Sequence, residues 1–280
     1  MSDSPSKLVR ARRLAESSLA LAVVPLVASF LAVGKLQRAL DADPGFGLSA
    51  ALPAALPTLW TYTGSFGGGL QFTTVAGAVS AALTPANAFV VLVGTAVFAA
   101  LEAGFLGSVA ARVAGEPVRL DRFLLAVRRF GRRMIVVRLV GVFVVVLLGL
   151  LAELLGPAVV LVGLLVAYAL YGWPYVLVVR DDPAFDALGV TLVLAREGGI
   201  YLRFAVLHAL FAAGLSVPLT VLVRNGGPLG VSVAGVAASL PALVVAFYGV
   251  LTFRERLGTA GVWETPGDTG PVGGVSGTSE

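Results

Sequence analysis

Glu102 is the side chain in this sequence that most needs a chemical explanation. It stands in an apolar run about ten residues from Arg112, roughly 15 Å along a helix and near the middle of a ~30 Å hydrocarbon layer. An acidic group at that depth is costly unless it is paired, protonated or hydrated. His208, the one histidine, lies at a matching depth in another apolar run. Arg138 sits only about 6 Å deep, but its long side chain can reach inward. The expected contact is therefore Glu102 with His208, or else Glu102 with Arg138. Such a pair offers two chemistries: a proton relay or solute site, or a buried polar pair that fixes helix packing.

Other chemistries are poorly supplied. The chain has no Cys, so thiolate nucleophiles, Cys-ligated zinc and disulfides are excluded, and a single His cannot build a two-histidine metal motif. Lysines number only two, and Gly34-Lys35-Leu36 lacks the glycine spacing and hydroxyl of a phosphate loop. Ser108 with His208 can be drawn as a dyad, but no nucleophile turn or oxyanion donors accompany it. The expectation is no enzyme, no cofactor and no metal. A net charge of +4 is too small to imply nucleic acid.

These polar residues must be positioned by membrane helices. The AVILMFWYC fraction is 58% against 13% charged residues, and Pro44 to Leu101 carries no charge at all. Soluble domains run at roughly 25% charged, so a soluble globular enzyme is ruled out. Six segments are long and apolar enough to cross a bilayer: Ser17–Gly34, Pro85–Ala111, Met134–Ala152, Pro157–Val179, Ile200–Val223 and Pro228–Phe253. The fold class is an all-α, polytopic membrane protein: a six-transmembrane-helix bundle with amphipathic interfacial helices in its loops.

Arginine and lysine set the direction. The N-terminus, the loop from Arg112 to Arg133, the loop from Arg180 to Arg196 and the C-terminal flank hold fifteen, whereas the alternate loops hold three: Lys35, Arg38 and Arg224. Both termini are thus expected in the cytoplasm of a multi-pass cell-membrane protein. Residues 1–16 form a basic cytoplasmic N-terminus, 17–256 the membrane domain, and 257–280 a disordered tail rich in Gly, Thr and Ser. Residues 35–84 make a long outer loop, within which Leu70–Leu83 is expected to lie on the interface or to dip in and return. Thr61-Tyr62-Thr63-Gly64 in this loop reads as a turn rather than an ion filter.

Both long basic loops share a plan of acidic residue, proline and amphipathic stretch. Leu120, Phe123, Leu124, Val127 and Phe130 fall on one helical face, with Arg119, Arg122, Arg129 and Arg133 on the other. This predicts a helix lying in the headgroup plane, its arginines on anionic lipid. In the second loop Asp182-Pro183 suits a helix start and Gly198-Gly199 a stop. Ala96, Ala100, Gly104 and Ser108 form a small-residue stripe for close helix approach, and Gly235 with Ser239 a second. Tyr168, Tyr171 and Tyr175 share a face and are expected to serve an aromatic belt and packing.

The run from Tyr168 through Trp173-Pro174-Tyr175 to Asp181-Asp182-Pro183-Ala184-Phe185-Asp186-Ala187-Leu188 resembles the signature of a broad set of six-helix membrane proteins. That set includes archaeal membrane proteins and the membrane domain attached to some bacterial glycerophosphodiester phosphodiesterases. The resemblance covers roughly residues 85–253 and implies a six-span domain with no assigned catalytic residues. The phosphodiesterase domain itself is absent, so that activity does not carry over. The expected role is a non-catalytic scaffold, assembly or lipid-associated accessory protein, whose partners are the bilayer and a membrane protein or second copy. The alternative is a small-solute or ion transporter using the Glu/His site.

Overall fold

The computed structural model describes residues 6–43, 51–63 and 85–258. Among them there is helix and no strand: α1 (Lys7–Glu16), a 3-10 turn (Leu19–Ala22), α2 (Val23–Leu31), α3 (Val33–Leu40), α4 (Leu59–Tyr62), α5 (Pro85–Val113), α6 (Leu120–Leu155), α7 (Ala158–Leu170), α8 (Trp173–Arg180), α9 (Ala184–Glu197), α10 (Gly199–Asn225) and α11 (Gly227–Leu257). Five helical segments have the length and apolarity to cross a membrane, α7 and α8 counting as one. The fold is an all-α polytopic membrane bundle. Leu70–Leu83 lies outside the described residues; of the expected tail 257–280, Leu257 still belongs to α11, and the residues beyond 258 lie outside the described ones.

The first expected span, Ser17–Gly34, is not one rod. Lys7–Glu16 and Leu19–Leu31 meet at 87°, and together they make a sixth crossing only as a bent pair. The interruption falls on Ser17 and Ser18, whose backbone leaves the helical region at Ser18 (φ −135°, ψ 32°). Serines readily exchange helix bonds for side-chain bonds: Ser17 Oγ donates to Leu14 O and accepts from Arg112. The basic N-terminus is likewise no free arm. Ala11 and Ala15 of α1 are buried, α1 packs on α11, and Lys7 Nζ lies 2.6 Å from Glu255.

A second correction concerns the surface helix expected over Leu120–Phe130. It is the first part of α6, a 36-residue helix that continues unbroken into the apolar span, about 54 Å in all. The chain between Phe130 and Met134 carries no proline and no cap, so nothing stops the helix. The Phe123 ring and Ala126 lie directly against Gly104 and Gly107 of α5, where any side chain would clash. Phe123, Ala126 and Phe130 are thus turned to protein, whereas Leu120 and Leu124 of the same face stay exposed. Gly104 belongs to the expected small-residue stripe, and Gly235 meets Leu26 and Phe30 of α2. Pro218 and Pro241 sit inside α10 and α11 without ending either helix.

Burial is uneven along the bundle. The most apolar window of α11 is 56% buried, that of α6 only 11%. Phe143, Leu150, Leu161 and Leu165 are exposed and face hydrocarbon, whereas Phe105, Phe130, Tyr175 and Phe247 share one interior cluster. Lipid tails are as apolar as leucine, so what holds helices together here is close packing and hydrogen bonding.

The break between α7 and α8 shows how backbone is satisfied in such a medium. Gly172 N donates to Tyr201 Oη at 3.1 Å, and that hydroxyl donates to Tyr168 O at 3.0 Å. Tyr171 Oη in turn donates to Tyr201 O at 2.5 Å. A Cβ on Gly172 would lie 2.6 Å from the Tyr201 ring and 2.9 Å from Phe253, so only glycine admits this approach. Pro174 follows at the start of α8, where its missing N–H leaves no gap. Of the belt and packing roles expected for the tyrosines, packing is the one seen: their hydroxyls bond carbonyls within the bundle.

Residues 51–63, part of the expected outer loop, enter the bundle. Leu59, Trp60 and Tyr62 are buried against Ala212, Leu219 and Val231. Leu59 N donates to Ser29 Oγ at 2.9 Å and Trp60 Nε1 to Ser29 O at 2.6 Å, while Tyr175 Oη donates to Ala54 O at 3.0 Å. Thr58 and Thr61 form a capping box that starts α4. Irregular backbone is tolerated at such a place because protein, not lipid, surrounds it.

Candidate functional site

Glu102 finds Arg138. The Arg138 Nε donates to Glu102 Oε2 at 2.5 Å, across the α5–α6 contact. The Glu102 side chain is 4% exposed and that of Arg138 36%. Arg138 also lies 5.9 Å from the centroid of the Phe98 ring, one helical turn before Glu102 on α5, so the guanidinium is held by a carboxylate and a π-face together. The groove around it is otherwise apolar, a cavity of about 480 Å³ lined by Val91, Phe98, Val142 and Val145 among others. The carboxylate is the more desolvated partner, and the guanidinium beside it offsets part of that cost.

His208 is elsewhere. On α10 it faces Tyr62 of α4, ring centroids 6.1 Å apart, and Phe204, 6.4 Å away. It is 3% exposed, and neither ring nitrogen has a hydrogen-bond partner among the described residues. The Tyr62 hydroxyl is also buried without one. The matched depths of Glu102 and His208 did not bring them together, because depth leaves open which way each helix face turns. Ser108 Oγ also has no partner among the described residues, so the Ser108–His208 dyad is not formed. No group of acidic and His residues among the described ones is placed to hold a metal ion.

His208 lines a cavity of about 560 Å³ between α10 and α11, which Arg203, Leu207, Phe211, Tyr248, Thr252 and the N-terminal turn of α1 also border. Thr252 Oγ1 is a further buried atom without a partner among the described residues.

The arginines expected on lipid headgroups are largely engaged within the chain. Arg129 Nη2 and Arg133 Nη1 lie 2.6 Å and 2.7 Å from opposite oxygens of Asp181, and Arg133 donates again to Asp181 O at 2.8 Å. Arg122 pairs with Glu116 at 3.1 Å. Arg119 stands exposed as the residue before α6. Asp181 closes α8 with φ 59°, the one non-glycine left-handed residue among those described. Aspartate tolerates that conformation better than most residues, and two guanidiniums hold it there.

No family model, curated protein or solved structure matches this chain. What the site does must therefore be read from its own geometry. Sequence reasoning missed Tyr62, Tyr201, Asp181 and Thr252. Thr58-x-x-Thr61 before Tyr62 was a readable helix start, and the Asp181-Asp182 pair facing seven loop arginines was a readable clamp. Nothing in the sequence marked Tyr201 or Thr252.

Proposed function

We propose that this chain is a non-catalytic accessory or scaffold protein of the cell membrane, related to the six-span proteins its Tyr168–Leu188 run resembles. Both termini lie on the cytoplasmic side, and its partners are anionic lipid and neighbouring membrane proteins. The observation that carries this reading is the closure of Glu102 by Arg138. A translocation path would string its ionisable groups along one route, whereas here the carboxylate is satisfied across a helix contact and His208 stands apart. The intramolecular clamps Arg129–Asp181–Arg133, Lys7–Glu255 and Arg256–Glu197 add to a chain whose charges hold its own helices.

The natural absence of cysteine makes the test direct. A Glu102→Cys, Arg138→Gln variant, folded by size-exclusion criteria, is treated from each side of sealed vesicles with a membrane-impermeant maleimide. Labelling from neither side is expected. Labelling from one side would replace this reading by the transporter one. Single cysteines at Ser6 and Asn225 should react from opposite sides, Ser6 from the cytoplasm.

A further inference from the structure

The α10–α11 groove has a chemical gradient along its length. Ile200, Arg203, Phe204, Leu207, His208 and Phe211 recur at helical spacing on one face of α10 and line the cavity of about 560 Å³, opposite Val244, Tyr248 and Thr252 of α11. That volume is within the ordinary range of small-molecule sites. Arg203 and Thr252 lie near the helix ends at Gly199 and Leu257, His208 comes about 7 Å further along, and Phe211 with Val244 follows. Charge, hydrogen-bond donors and apolar surface thus succeed one another over about 12 Å.

Each polar group is left with unmet capacity. Arg203 makes no ion pair among the described residues, and Lys7 at the same groove is already paired with Glu255. His208 and Thr252 are each 3% exposed, with ring nitrogens and hydroxyl unpartnered among the described residues. A buried donor without an acceptor carries an uncompensated desolvation penalty. Leu8, Leu207 and Phe211 line the groove and are exposed among the described residues, so part of its rim is apolar.

We propose that this groove binds one anionic phospholipid of the surrounding bilayer. The phosphate sits on Arg203, ester oxygens accept from His208 and Thr252, and an acyl chain runs along Leu207, Phe211 and Val244. The inference deepens the lipid-associated reading and rests on it. A zwitterionic lipid would bring its own cation to Arg203 and gain less; a free anion would leave the apolar end unused.

The test reconstitutes the full chain in phosphatidylcholine vesicles doped with either phosphatidylglycerol or phosphatidylcholine carrying a diazirine on the acyl chain, and maps the photo-crosslinks. Crosslinking at Leu207, Phe211 or Val244 should favour the phosphatidylglycerol probe by about fivefold, the worth of one interfacial cation. Arg203→Gln should abolish that preference and Arg203→Lys retain it. A His208→Leu, Thr252→Val variant should lower groove labelling with the fold intact. Equal labelling by both probes, or an unchanged preference in Arg203→Gln, overturns the proposal; displacement by millimolar inorganic phosphate overturns it in favour of a free-anion site. Any of these with Glu102 still inaccessible to maleimide removes the lipid site alone and leaves the accessory reading standing.

Discussion

Glu102 and His208 are equally buried, each 3% exposed, yet Glu102 has a guanidinium at 2.5 Å and His208 has no hydrogen-bonding partner among the described residues. The first lies where α5 and α6 pack through glycines and a phenylalanine ring, in the most extensive helix pairing of the molecule. The second lines a cavity between α10 and α11. A carboxylate left without a partner at that depth costs more than an imidazole left without one. Charge closure thus marks one region and unmet donors the other, although each borders a cavity.

Substitutions at three centres would break or sharpen that contrast. The largest effect is expected from Arg138→Ala, which strands Glu102 and should lower stability by about 3 kcal/mol in mixed-micelle unfolding. Removing both charges, as Glu102→Gln with Arg138→Gln, should recover most of the loss; a double variant as unstable as the single one would show that the pair is not the source. Asp181→Ala comes next, at about 1–2 kcal/mol, since it releases two half-exposed arginines and puts alanine in a left-handed conformation. Asp181→Gly isolates the charge part, and its stability should lose the salt sensitivity of the parent chain. The smallest effect belongs to His208→Leu. With no partner to strand, stability should stay within about 0.5 kcal/mol of wild type or rise. A loss comparable to that of Arg138→Ala would mean the two centres are alike after all.

How far the sequence spoke for itself depended on which physical quantity was needed. Length and apolarity located the five long crossing segments, because hydrocarbon thickness admits few alternatives. The anomaly at Glu102 was visible for the same reason. Its partner was not, since depth can be counted from a loop while the facing of two distant helices is set by packing. Arg138 ranked second to His208 on depth, and its reach with opposite charge decided the contact. The intramolecular partners of Arg122, Arg129 and Arg133 were hidden from local reading: amphipathic periodicity over Leu120–Phe130 looks the same whether Phe123 meets lipid or Gly104. Residues 51–63 were hidden by composition, because prolines and an aromatic turn describe a surface loop as well as a buried one.

That buried turn has a consequence in time. Its early partner, Ser29, is made 30 residues before Leu59, but the hydroxyl that meets Ala54 belongs to Tyr175, made 121 residues after it. At about 5–20 residues per second the ribosome delivers that hydroxyl roughly 6–24 s later. Through that interval the segment has Ser29 to hold α4, while the α8 side of its pocket does not yet exist. Its seating is therefore a late event of biogenesis, and the order of synthesis is part of how this bundle closes.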